Sequence, residues 1–255
     1  MKRKEKKRKK KRISLWVKLL LMVAVCTGLY FFASSSYFNV TSFQVEGSTY
    51  YSEDEILTMG NCKTGENIFW GSGLADIKDR LEKDPYMAKV RIKRILPDKI
   101  KIEITERTQI GAVVYGDNYV VIDKDENVLR KTEVEPQLTL IKGLTISKIE
   151  VGQPIEVEEK VQMRQIMDMI VSMNESDMYF KSIEISEAGV KAYVLDYLVC
   201  VGTPQNITQA METGNLQKVI RGLFDINIER GTVKSAVMIT FLSARLLTKK
   251  SSKKP

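Results

Sequence analysis

Two carboxylates two residues apart, Asp123 and Asp125, are the closest approach in this sequence to an acid–base pair, and paired carboxylates are what glycoside hydrolysis uses. Beside Asn127 the same residues also spell a solvated turn, in which short side chains bond their own backbone, and that is the simpler reading. The rest of the catalytic repertoire is thin. The chain of 255 residues has no histidine, which removes Ser-His-Asp and Cys-His catalysis, histidine zinc sites and imidazole-ligated haem together. No Gly-rich phosphate loop, Cys-x-x-Cys pair or Ser-x-x-Lys motif stands in the part beyond the apolar segment, so neither nucleotide handling nor penicillin-type acylation has an anchor. No catalytic residue, cofactor, metal or small-molecule substrate is expected. Of the three cysteines, Cys26 falls in the apolar segment, while Cys62 and Cys200 pair only if the fold brings them together.

A net charge of +8 suggests nucleic acid until the charges are located. Residues 2–12 hold ten Lys or Arg and one Glu, Lys18 adds one more, and five basic residues close the C-terminus, so the ends carry +15 and residues 19–244 carry −7. The folded part is acidic, and no nucleic-acid partner is expected for it.

From Ile13 to Ala33 the chain has one charge in 21 residues, about 31 Å as a helix against a hydrocarbon core of ~30 Å. Lys18 lies one turn from the basic end, where its stem can carry the ammonium to the headgroups, and Trp16 and Tyr30 sit near the two interfaces. Ten basic residues before the helix and no such cluster after it place the N-terminus in the cytoplasm and everything beyond Ser34 outside. A cleavable signal peptide is the competing reading, given the small residues at Ala33–Ser36, but the apolar run is longer than a signal core. The basic tail at 1–12 fixes topology and also suits anionic membrane lipid.

The exported part reads as α+β. Residues 38–46 alternate apolar and polar side chains and end at Gly47, a half-buried strand. Ser52-Glu53-Asp54-Glu55 is a capping box opening a short helix, with Gly60 as its stop. Leu74, Ile77 and Leu81 recur at helical spacing until Asp84-Pro85. Ala88, Val90 and Ile92, then Ile100, Ile102 and Ile104, alternate with polar residues around a Leu96-Pro97-Asp98 turn, a hairpin with one apolar face and one basic, solvated face. Strand, helix, helix, strand, strand lets three strands bury one face under two helices.

Beyond Arg107, β-prone runs at Ala112–Tyr115, Tyr119–Asp123, Val128–Lys131 and Leu138–Ile141 read as a meander. A helix over Val157–Met173, with methionines as core filler, precedes strands at Ile183–Ile185, Val190–Leu195 and Leu198–Val201 and a polar helix over Ile207–Ile220. The run Ala236–Leu247 reads as a terminal strand or a partner-bound segment. The sequons at Asn39, Asn174 and Asn206 would mark glycosylation only in a eukaryotic secretory protein.

The stretches Phe38–Ile56 (FNVTSFQVEGSTYYSEDEI), Thr64–Phe69 (TGENIF) and Asp84–Arg107 (DPYMAKVRIKRILPDKIKIEITER) resemble, in order and spacing, the POTRA domain of the FtsQ/DivIB family of bacterial cell-division proteins. Tyr119–Leu129 resembles the stretch that opens the family's β-domain, with Asn127, which also adopts left-handed turns, where Gly is commoner. Arg230-Gly231-Thr232-Val233 resembles the family's Gly-Thr-Ile-Asp-like strand, with Lys234 where an acid is common. The resemblance implies a basic tail at 1–12, a transmembrane helix at 13–33, a POTRA-like domain at 38–108, a β-rich domain at 109–244 and a basic, disordered tail at 245–255. It implies a non-enzymatic scaffold of the division septum whose partners are of the FtsB/DivIC and FtsL types. Arg230, Gly231, Thr232 and Val233 are its expected partner-binding residues, through strand addition at an open sheet edge. The alternatives are a membrane-anchored cell-wall hydrolase or carbohydrate-modifying enzyme, which needs a cleft with an acid and a base, and a strand-binding export module, whose relatives carry a β-barrel for which this chain has no room.

Overall fold

The computed structural model describes residues 15–234 apart from 177, 187, 188 and 195. The basic tail at 1–12, the start of the apolar run, the run Ala236–Leu247 and the tail at 245–255 lie outside the described residues, as does Leu195.

Helix α1 (Leu15–Ala33) is apolar all round, and none of its residues is buried. Its 19 residues measure about 28 Å, so the surroundings it fits are a bilayer core of ~30 Å. Within it the Thr27 hydroxyl donates to the Val23 carbonyl at 2.8 Å, leaving no polar hydrogen to the lipid side. A 3-10 turn at Ser36–Phe38 follows.

The chain divides into two compact units, the first running through Glu82 and resuming at Lys89–Thr105, the second comprising Lys83–Ala88 and everything from Glu106. In the first, β1 (Ser42–Glu46), α2 (Glu53–Gly60), α3 (Leu74–Leu81), β2 (Met87–Ile95) and β3 (Lys99–Glu106) form a sheet of order β1-β3-β2. Strand β1 runs parallel to β3, Phe43 opposite Ile100 and Val45 opposite Ile102, a pairing that requires a crossover, which the two helices supply. Ile56, Ile77, Leu81, Val90, Ile100 and Ile102 are buried to 3 % exposure or less. Each such side chain contributes roughly 1.5–3 kcal/mol.

The expected capping box is in place: the Glu55 amide donates to the Ser52 hydroxyl, and the Ser52 amide donates to the Glu55 carboxylate at 2.8 Å. That bond holds the Glu55 carboxyl below the usual range. Gly60 closes α2 but is not its left-handed cap, a conformation taken by Asn61 at φ 49°. Its glycine answers packing, since a Cβ there would lie 2.9 Å from Cys62 Sγ and 3.2 Å from Ile77. In β2 the expected alternation slips: Met87 and Val90 are buried and Ala88 is exposed.

The second unit contains β4 (Gly111–Tyr115), β5 (Asn118–Ile122), β6 (Val128–Thr132), β7 (Thr139–Lys142), the small hairpin β8 (Ile146–Lys148) and β9 (Glu156–Val157), α4 (Lys160–Glu175), β10 (Ser182–Ser186), β11 (Gly189–Tyr193), β12 (Leu198–Gly202), α5 (Pro204–Glu212), α6 (Asn215–Phe224) and β13 (Gly231–Lys234). Its main sheet has the order β13-β12-β11-β10-β7-β4-β5-β6. The expected meander therefore stops at β6: β7 returns to lie parallel to β4 and parallel to β10, which joins two antiparallel groups into one sheet. The single helix expected over Ile207–Ile220 is two, broken at Thr213 and at Gly214, which sits left-handed at φ 68°. Met163, Met167, Met169 and Met173 of α4, Ile207 of α5 and Leu216 of α6 share one core with Val113, Ile141, Ile183, Val190 and Cys200 of the sheet, so the helices cover one face. Ala112, Val121 and Leu140 form a small cluster of their own. Val161, in the expected apolar stripe of α4, faces out at 67 % exposure.

Candidate functional site at a sheet edge

The four expected partner-binding residues fall together at one end of the eight-stranded sheet. Gly231, Thr232 and Val233 lie in β13, which is the outermost strand on that side among the described residues, and Arg230 immediately precedes it. Strand β13 pairs in parallel with β12, Gly231 opposite Leu198, Thr232 opposite Val199 and Val233 opposite Cys200. The Gly231 amide donates to the Tyr197 carbonyl at 3.0 Å, so the backbone groups of Gly231 point toward β12. Backbone direction alternates along a strand, so the N–H and C=O groups of Thr232 and Lys234 point away from β12.

Side chains hold the strand at both of its faces. Val233 packs partly against the helix-covered core, while Gly231, Thr232 and Lys234 are exposed. The Arg230 guanidinium stacks 4.3 Å from the centre of the Tyr197 ring, an attraction between a cation and the electron-rich ring face. Gly231 has φ +147°, a backbone that side chains rarely adopt, which gives the glycine at this position a physical reason. The approach to the strand leaves Ile226 48 % and Ile228 40 % exposed, apolar surface that sequence reasoning did not single out. Cys200, under Val233, is a free thiol pushed up to about 12 by burial, and Cys62 is free as well, at about 11. Neither is a nucleophile near neutral pH.

The carboxylate pair proves to be a turn. Asp123 is 2 % exposed, and its carboxylate accepts the Asp125 amide at 2.9 Å, the Asn127 amide at 2.8 Å and the Asn127 side chain at 3.0 Å, with Arg107 3.3 Å away. Asp125 faces solvent. The left-handed residue of this turn is Glu126, at φ 66°, and not Asn127, whose side chain is committed to Asp123. Burial raises the Glu126 carboxyl above its usual range, Arg164 opposes that, and Asp168 and Asp123 add to it. Lys124, Asp125, Glu126, Arg164, Met167 and Asp168 line a cleft of about 150 Å³, below the several hundred that ligand sites enclose. Among the described residues no group of three or more Cys, Asp or Glu side chains is placed to hold a metal ion.

Residues 38–107 match the family model described as a POTRA domain of the FtsQ type. The chain is 29 % identical over 228 residues to the cell division protein DivIB of Clostridium acetobutylicum, covering 85 % of this chain and 88 % of that one. It is 24 % identical to the cell division protein DivIB of Clostridium botulinum, covering 91 % and 93 %, and 33 % identical to the cell division protein FtsQ of Syntrophotalea carbinolica over a shorter stretch, 45 % and 40 %. One apolar helix, a β-α-α-β-β unit and a second, β-rich α+β unit make the class that of a membrane-anchored POTRA protein. Within that class the chain belongs to the FtsQ/DivIB family, and its role is in cell division.

Proposed function

We propose that this protein is a non-enzymatic scaffold of the division septum, spanning the cell membrane once with its N-terminus in the cytoplasm, and that it holds partner division proteins outside the membrane. The observation that carries the reading is the edge at β13, where Thr232 and Lys234 turn unshared backbone donors and acceptors outward among the described residues. Such an edge accepts a strand from another chain through main-chain hydrogen bonds, while exposed Tyr197, Ile226 and Ile228 offer apolar surface nearby. Partners of the FtsB/DivIC and FtsL types suit it, since the family resemblance implies them, and anionic lipid suits the basic tail. Arg230, Gly231, Thr232 and Val233 are the residues assigned to the contact.

The test is binding of the chain from Ser34 onward to the exported coiled-coil segments of those partners, by pull-down and calorimetry, beside a variant lacking everything from Gly231. Binding that disappears with the deletion, while circular dichroism stays that of a folded domain, supports the edge. Equal binding by both forms removes the edge from the mechanism. No binding by a folded wild-type domain overturns the scaffold reading and favours the wall-enzyme alternative.

A further inference from the structure

The loop at Thr64–Phe69, one of the stretches that carry the family resemblance, takes no part in the sheet edge. It pairs instead with the chain just beyond the membrane helix: the Gly65 amide donates to the Val40 carbonyl at 2.8 Å, the Val40 amide to the Glu66 carbonyl at 2.9 Å and the Ile68 amide to the Phe38 carbonyl at 2.9 Å. Asn67 is the pivot. Its Nδ2 donates to the carbonyl of Ala33, the last residue of α1, at 2.9 Å, and its Oδ1 accepts the Phe69 amide at 2.9 Å. The Ala33 carbonyl is one of the helix-end acceptors that no intrahelical amide reaches, so this side chain joins loop to helix through a group otherwise left to solvent. The next carbonyl, that of Ile68, accepts the Ser72 hydroxyl at 3.2 Å and the Arg94 guanidinium at 2.7 Å.

Braced in this way, the loop lays its aromatic rings along the last turn of α1. The Trp70 ring lies 5.9 Å from that of Tyr30, and Phe38 lies 5.2 Å from Phe32 and 5.3 Å from Phe69. Tyr30 is three residues, about 4.5 Å, before the end of the helix, so a ring beside it shares its depth, at the boundary of the hydrocarbon. Yet Trp70 is 63 % exposed and Tyr37 66 %. Neither strand of the surrounding chain carries a charge: residues 34–45 and 67–73 contain no Asp, Glu, Lys or Arg. Exposed tryptophan and tyrosine on an uncharged surface, at the depth of a membrane boundary, is the arrangement that places amphipathic rings among headgroups.

We infer that Trp70, with Phe69 and Tyr37 beside it, seats in the interfacial layer of the leaflet at the C-terminal end of α1, and that Asn67 clamps the loop there. The first unit then stands on the bilayer at a fixed attitude instead of swinging from a free tether. The inference goes beyond the scaffold reading and depends only on α1 spanning a membrane.

The chain has two tryptophans, so Trp16→Phe leaves Trp70 as the sole fluorophore and Trp70→Phe leaves Trp16 as a reference within the inserted helix. The full chain, reconstituted in vesicles of phosphatidylcholine and phosphatidylglycerol carrying a nitroxide near the headgroup, is measured against aqueous iodide. Trp70 is expected to be quenched by the lipid nitroxide to a similar extent as Trp16 and to resist iodide. Free quenching by iodide with none by the lipid overturns the inference, and so does shielding from both quenchers, which means a second copy or a partner protein covers the ring. In Asn67→Ala the lipid quenching of Trp70 should fall while that of Trp16 stays; an unchanged Trp70 overturns the clamp.

Discussion

Arg107 and Asn127 both reach the carboxylate of Asp123, which sits at the end of β5 with almost no exposure. Removing that carboxylate leaves two turn amides, those of Asp125 and Asn127, without their acceptor and Arg107 without its partner. Asp123→Ala is therefore expected to lose about 3 kcal/mol in urea unfolding of the exported domain, and Asp123→Asn, which keeps an acceptor for the turn, about half as much. Equal, small losses in both would mean that the turn forms without its anchor. Next to it, Glu126 combines a left-handed backbone with a carboxyl raised by burial. A carboxyl whose folded-state pKa is raised favours the protonated form, so the stability tied to it is present at low pH and is lost as pH rises through the ordinary carboxylate range toward the raised value. Glu126→Gly removes both the strain and the charge, and should gain up to about 1 kcal/mol at neutral pH. The gain should be smaller near about pH 4, where the wild-type side chain is largely protonated. A gain that grows on acidification would contradict this account.

At the scale of elements, what was legible in the sequence was local. The capping box at Ser52–Glu55 and the alternation in β3 depend on neighbours a few residues away, and both stand as read. The break at Gly214 was present as a letter but was outvoted by the apolar spacing on either side. Pairing partners distant in the chain were not legible: nothing in Thr139–Lys142 says that β7 lies between β4 and β10 and not beside β6, because parallel neighbours are chosen by the whole sheet. The candidate edge shows the same division. Arg230–Val233 could be picked out by resemblance, whereas the Tyr197 ring under Arg230 and the exposed Ile226 and Ile228 follow only from the fold. The edge also makes a prediction that composition does not. Thr232→Pro deletes an outward-pointing amide and spares the inward ones, so it should leave thermal unfolding within a few degrees of wild type while abolishing partner binding by calorimetry. Val233→Pro, at an inward position, should destabilise the strand itself. Were Thr232→Pro to bind normally, addition of a partner strand at β13 would be excluded.

Across the whole molecule the charges are sorted by place. The tail at residues 2–12 nets +9, whereas residues 19–244 net −7, although the full chain is basic. Carrying the tail outward against a membrane potential of 100 mV, negative inside, costs about 2.3 kcal/mol per charge, about 20 kcal/mol for nine. No aromatic belt or interfacial contact supplies a term of that size, so the tail dominates the orientation. Replacing most of the Lys and Arg residues at 2–12 with Asn and Gln should therefore produce a mixed topology, read as a fraction of chains whose exported units resist added protease in intact spheroplasts, where wild type is fully digested. The folded units themselves should be unaffected, because their cores at Ile100, Ile102, Ile141 and Ile166 draw nothing from the tail. If the neutralised chain instead remained fully digestible, its orientation would have to come from folding of the exported part after translocation, and the tail would be left with lipid attraction as its sole physical role.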